Sequence, residues 1–234
     1  MPFTKMLLLI SSVLCLIFGS FRTTIIVIDI GGDVILRLYQ VGNNWKMKET
    51  TIKYFIDRKK WRRWLETNFE TEDDIWLEYP LKKTGRERML YNDAVEEALC
   101  FGWIDSTVKS LNEETTIQRF CRRRKNSTFS QPNRERLKWL FENNLIHDSI
   151  KNEVLKIIEQ DFIFPEDIIE QLKSDKAVWE NYKSFSEPYK RIRIAYIDSA
   201  RKRPEEFEKR LNNFIDKTKE NKLIKGFGGI DKYY

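Results

Sequence analysis

Five cations fall within seven residues, Arg119, Arg122, Arg123, Arg124 and Lys125, in the stretch RFCRRRKNSTFSQPN. Arginines beside the positive end of a helix, with Ser127, Ser130 and Asn133 as neutral donors, are what a phosphate or carboxylate needs. The competing reading is a solvated strand end, its arginines paired with Glu113 and Glu114 and Ser130 only capping the next helix, which is the usual fate of a charge run. Upstream, the segment EEALCFGWIDS offers Asp105 as a second candidate. Strand alternation puts Trp103 and Asp105 on one face. A carboxylate there is either a buried base or the partner of Arg122 across a hairpin, and beside an arginine its pKa falls, which suits an ion pair better than a base. Trp103, Asp105, Arg122, Arg123, Ser130 and Asn133 therefore form the expected anion site, with no catalytic residue assigned.

Other candidates are weaker. Cys100 follows a helix C-terminus, the negative end, which raises a thiol pKa and predicts an inert buried thiol. Cys121 shares a face with Ile117 and Arg119, and alternation leaves its burial open. His147-Asp148-Ser149 has the letters of a hydrolase triad, but adjacent residues cannot aim at one another as nucleophile, base and orienter must. Asp148 or Ser149 is expected to cap the following helix instead. The terminal KGFGGIDKYY has glycines without a strand-then-helix context and reads as a turn, with Tyr233 and Tyr234 as docking residues. Tryptophans 61, 64, 76, 103, 139 and 179 fall mostly at core-facing positions. Three scattered cysteines and one histidine make neither a disulfide framework nor a zinc site, so no metal and no cofactor is expected.

The elements that must hold these residues are read from periodicity. DRKKWRRWLETNF predicts a helix capped by Asp57, with Trp61, Trp64, Leu65 and Phe69 on one side. DIWLEYPLKK alternates at Ile75, Leu77 and Tyr79 as a strand does, broken only by Trp76. YNDAVEEALCF predicts a helix capped by Asn92 or Asp93, burying Ala94, Val95, Ala98 and Leu99 and ending at a left-handed Gly102. WIDSTVKSL and TTIQRFCRRR predict two strands joined by a turn at NEE. From Ser130 the pattern is helical, with Ile150, Val154, Ile157 and Ile158 on one stripe and Phe207, Leu211, Phe214 and Ile215 on another. Glu205 to Lys209 and Glu206 to Arg210 are i, i+4 pairs in the favourable order. The expected class is α+β: a small antiparallel sheet packed with helices, followed by an all-helical C-terminal segment. The expected division is an extension over 1–46, a core over 47–164 and a helical segment over 165–234.

The chain's 234 residues suffice for one or two cored domains, and 33% charged residues against 41% hydrophobic ones exclude disorder. A net charge of +6 attracts anions weakly and does not mark a nucleic-acid binder on its own. The apolar run from Met6 to Gly19 has the length of a signal-peptide core and is short for a membrane span, with Phe18 where a cleavage site wants a small residue. TTIIVIDIGGDVILRLYQV then reads as two β runs around Gly31-Gly32-Asp33. Translation from Met47 is favoured over a genuine export signal. The expected location is accordingly cytoplasmic, and membrane contact would need residues 1–20 to be genuine.

The stretches IWLEYPLKKTG, MLYNDAVEEALCFGWIDSTVKSL, QRFCRRRKNSTFSQPNRERLKWLFENNLI and YKRIRIAYIDSARKRPEEFEKRL together resemble the bacterial YdeI/OmpD-associated, or bacteriocin-protection, family over about 54–219. The chain departs from it at Cys121, where the family shows Pro, at Phe129, where it shows Trp, and at Phe207, where it shows Thr followed by Arg. The resemblance implies a mostly helical α+β cytoplasmic protein tied to envelope stress and tolerance of antimicrobial peptides, with no reaction attached. Three functions are carried forward: a non-enzymatic stress-tolerance protein binding a small anion, an enzyme using Asp105 on an anionic substrate, and weak nucleic-acid binding through Arg119 to Lys125.

Overall fold

A computed structural model describes residues 51–124, 127–225 and 231–233, and, as backbone alone, residues 17–18, 21–30, 33–40 and 50. The chain divides into two compact units, residues 1–123 and 124–234. The boundary expected at 164/165 falls inside the second unit. Met47 and most of the apolar run from Met6 lie outside the described residues, as do Lys125, Tyr234 and the three glycines near the C-terminus.

The first unit carries the sheet. Its strands are β1 (Ile17–Phe18), β2 (Phe21–Ile30), β3 (Asp33–Gln40), β4 (Thr50–Lys53), β5 (Asp74–Pro80), β6 (Trp103–Ser110) and β7 (Thr115–Arg122). They run in the order β1-β2-β3-β4-β5-β7-β6. The two β runs expected around Gly31-Gly32 pair as antiparallel β2 and β3, with Ile30 opposite Asp33. All other pairs are antiparallel except β4 with β5. That one parallel pair has a simple cause: helix α1 (Arg58–Asn68) lies between the two strands in sequence and carries the chain back.

β5 explains the break that Trp76 makes in the alternation. The strand lies between β4 and β7 and is covered on both faces. Ile75, Leu77 and Tyr79 are buried on one side and Trp76 on the other, where it meets Ile52 and Ile117. A strand buried on both faces loses its polar alternation.

α1 and α2 (Tyr91–Leu99) form the unit's helical layer. Asp57 caps α1 as expected, accepting from Lys60 N at 2.9 Å. Trp61 and Leu65 are fully buried. The Trp61 ring stacks on Trp64 at 5.3 Å and tilts against Phe120 of β7 at 5.6 Å, while its Nε1–H donates to Ala94 O at 3.0 Å. Trp64 in turn meets Trp103 edge-on at 5.8 Å. The N-cap of α2 is Leu90, two and three residues before the expected Asn92 and Asp93, and it makes no side-chain cap bond, so neither Asn92 nor Asp93 plays that role. Gly102 has φ 72°, the left-handed value its sequence position requires.

The second unit is helical among its described residues: α3 (Gln131–Glu142), α4 (Lys151–Ile158), α5 (Glu166–Lys173), α6 (Lys176–Ser184), α7 (Glu187–Asp198) and α8 (Pro204–Lys219). Ile168, Leu172, Val178, Tyr182, Tyr189 and Phe214 form its core. Of the α4 stripe only Val154 is fully buried; Ile150, Ile157 and Ile158 are half-buried. Glu206 and Arg210 pair at 2.7 Å as their spacing suggests. Neither Asp148 nor Ser149 caps α4: they open a short 3-10 turn, and the His147 ring accepts from Ser149 N. Tyr233 docks edge-on against Trp139 at 5.9 Å.

Candidate functional site

A cavity of about 210 Å³ lies on the first unit's sheet, on the face that carries Phe120. Register sets its floor. Tyr79 pairs with Thr116, Leu77 with Gln118 and Val108 with Gln118, so Tyr79, Thr116, Gln118 and Val108 share one face. A bulge between Asp105 and Val108 interrupts the β6 ladder beside them. The wall is the chain that leads into α2. Gly85, at φ 66°, turns it back after the 3-10 helix over Lys82–Thr84. Arg88 Nη1 then donates to Pro80 O at 3.0 Å, and Met89 N to Phe55 O at 3.4 Å, which lays Arg88 and Met89 along the cavity. The rim is apolar and open: Leu90 is 66% exposed, Val108 60% and Tyr91 43%.

Tyr79 is the chemically unusual member. Only 8% of it is exposed, and its hydroxyl has no hydrogen-bond partner. Leaving a buried hydroxyl unpaired costs about 1–3 kcal/mol, a cost a fold rarely retains without a use for the group. Burial pushes the phenol well above its ordinary range, reinforced by Tyr91 and Asp105 and opposed by Arg88. The group is therefore a neutral donor across the ordinary pH range.

The six residues expected to form an anion site are differently engaged. Trp103 is buried, and its Nε1–H donates to Phe69 O at 3.2 Å. Asp105 is not held by Arg122: it sits opposite Phe120 and accepts the Tyr91 hydroxyl at 2.5 Å. Arg122, opposite Trp103, turns its guanidinium onto the carbonyls of Glu70 and Glu72, the latter at 2.9 Å, and so fastens the loop after α1. Arg123 is half-buried, with its backbone N–H on Gly102 O at 3.0 Å. Arg119 pairs with Asp74, Nε to Oδ2 at 3.0 Å, an acid on β5 and neither Glu113 nor Glu114, which the competing solvated-strand reading names. In the second unit, Ser130 occupies the N-cap of α3 but makes no side-chain cap bond. Asn133 Oδ1 accepts from Arg136 Nη1 at 2.8 Å.

The remaining reactive types lie outside the cavity lining. Burial pushes the Cys100 thiol up to about 12, with Glu97 adding to the shift. Cys121 is half-buried. His147 Nδ1 lies 2.8 Å from Ser149 Oγ, on a surface turn. Among the described residues no cluster of three or more His, Cys, Asp or Glu could hold a metal ion, and no helix is long and apolar enough to cross a membrane.

The cavity's residues were not singled out by motif. Tyr79 reads as core from its alternation, and Arg88 sits in an irregular stretch. The usable signal was Gln118, a polar residue on the same face of its strand as buried Phe120, and itself only 5% exposed.

Residues 161–221 match the family model described as Bacteriocin-protection, YdeI or OmpD-Associated. Over residues 53–153 the match is to a different model, a domain of unknown function (DUF8412). Neither the curated proteins nor the solved structures contain a match to the chain.

Proposed function

Starting from a C-terminal segment that matches the bacteriocin-protection, YdeI or OmpD-associated family, we propose that this is a non-enzymatic stress-tolerance protein of the bacteriocin-protection type. It acts by binding a small ligand in the cavity over β5, β7 and β6. The observation that carries the reading is a cavity with an open apolar rim, lined by Arg88, which has no carboxylate partner among the described residues, and by Tyr79, whose buried hydroxyl is unpartnered. Concave sites with an apolar lining and a few convergent polar groups are where small molecules bind. The cavity offers donors and apolar surface, and the one buried thiol near α2 is held protonated.

The experiment expresses the chain in a bacteriocin-sensitive bacterium and counts survivors after challenge. Wild type is expected to raise survival over an empty vector. Val108→Trp, which covers the cavity mouth from an exposed position, is expected to remove the gain at unchanged protein level. Equal survival for vector and wild type would sink the protective reading, and equal protection by Val108→Trp would detach it from the cavity.

A second reading keeps one specific observation. Tyr91 at the cavity rim donates to Asp105, which through that contact could serve as acid or base toward a substrate held inside. That makes an enzyme acting on an anionic substrate the alternative, and Asp105→Asn separates the two: loss of turnover out of proportion to any loss of binding favours the enzyme, and no turnover by the wild type excludes it. Weak nucleic-acid binding has less support, because Arg119 and Arg122 are committed to Asp74 and to backbone carbonyls.

A further inference from the structure

The cavity presents donors where its occupant must supply acceptors. Tyr79 has an O–H with no partner, its oxygen covered by neighbouring atoms, so an acceptor in the cavity reaches it once the side chain shifts. Arg88 spends Nη1 on the Pro80 carbonyl and has no carboxylate partner among the described residues, so most of its five N–H donors remain available. Gln118 adds a carboxamide from the floor. The Thr116 hydroxyl already donates to Tyr79 O at 3.3 Å. Two carboxylates also act on the Tyr79 hydroxyl, Asp105 and Asp93. Both are already met, Asp105 by the Tyr91 hydroxyl at 2.5 Å and Asp93 by Arg58 at 3.2 Å. Arg88 is thus the charge in the cavity that still lacks its counterpart.

Size and lining limit the rest of the ligand. A cavity of about 150 Å³ lined by apolar side chains holds a benzene, and this one has about 210 Å³. Met89, 3% exposed, and Val108 supply apolar surface to the lining.

Resting on the ligand-binding reading above, we propose that the cavity binds a small aromatic monocarboxylate of about benzoate size, its carboxylate taken by the Tyr79 hydroxyl and the Arg88 guanidinium and its ring by Met89 and Val108. A carboxylate satisfies both donors at once, and charge-assisted hydrogen bonds are the strong ones.

The test is calorimetric titration of the full chain with benzoate, benzamide and benzylamine at pH 7. Benzoate is expected to bind saturably and at least about tenfold tighter than benzamide, with benzylamine weakest. Tyr79→Phe is expected to weaken benzoate by about tenfold or more without lowering the unfolding temperature. Arg88→Met is expected to erase the preference of benzoate over benzamide, and Val108→Trp to block both. Benzamide binding as tightly as benzoate, or benzylamine binding best, would overturn the carboxylate assignment while leaving a ligand-binding cavity in place. If benzoate affinity is the same in wild type, Tyr79→Phe and Val108→Trp, or if none of the three compounds binds, the assignment falls; protection of cells, measured separately, then decides whether the broader reading falls with it.

Discussion

The Tyr91 hydroxyl donates to the Asp105 carboxylate at 2.5 Å, tying the first residue of α2 to the third residue of β6. The bond lies just ahead of the bulge that interrupts β6, and Tyr91 is part of the cavity rim. It gives Asp105 a positional role: it holds the start of α2 against the sheet edge.

Tyr91→Phe removes the donor and keeps the ring. Because Tyr91 is 43% exposed, the expected loss is about 0.5–1 kcal/mol, below the range for a fully buried bond to a charged group. Urea unfolding of both proteins measures it. No loss would mean that the pair contributes nothing to the rim.

Tyr79→Phe should do the opposite. It deletes a buried hydroxyl that has no partner, so stability should stay level or rise by about 1 kcal/mol. A fall of that size would show that the hydroxyl is satisfied in solution and remove the reason for placing a ligand there.

Two buried glutamates test the helical layer. Glu96 and Glu97 are 0% and 4% exposed on α2. Arg58 reaches Glu97 Oε1 at 2.7 Å and Arg62 Nη1 reaches Glu97 Oε2 at 2.8 Å. Arg58→Met should cost about 2–3 kcal/mol, less than a fully buried pair would, since a third of the arginine side chain is solvated. A double-mutant cycle with Glu97→Gln should recover part of that cost; additive losses would deny the coupling.

Cys100 predicts the alkaline behaviour. Its thiol is raised from 9.0 to about 12 by burial first and Glu97 second. Between those values the unfolded chain has released a proton that the folded chain keeps. Stability therefore falls as pH rises through that window, and below it the group adds no pH dependence. At pH 8 an alkylating reagent should modify half-buried Cys121 and leave Cys100 untouched in the folded protein. Peptide mapping that finds both labelled at equal rates would contradict the burial of Cys100.

Much of the architecture could be read in the residues, because its signals are local. The Asp57 cap, the Trp61 and Leu65 stripe, the left-handed Gly102 and the β6–β7 hairpin all depend on neighbours within a few positions. Trp76 was legible only as an exception, since what explains it is the pairing of β5 with both β4 and β7. Glu96 and Glu97 were illegible for the same reason: their partner Arg58 lies 38 and 39 residues away. The site followed this rule as well. The arginine cluster reads as an anion site from sequence alone, and the hydrogen bonds of Arg119 to Asp74 and of Arg122 to a loop carbonyl could not be read there, because their partners lie 45 and 50 residues away. An unpartnered Tyr79 hydroxyl leaves no mark on the sequence, because what distinguishes it is the absence of a neighbour.

The central claim is that the cavity above Tyr79, and not the arginine stretch from Arg119 to Lys125, is where a small anion binds. Amide chemical-shift mapping of the full chain during a benzoate titration tests this most directly. The account predicts saturable shifts concentrated at Met89, Leu90, Tyr91, Val108, Thr116 and Gln118. Shifts confined to Arg122, Arg123, Ser130 and Asn133, with the cavity residues unmoved, would contradict it.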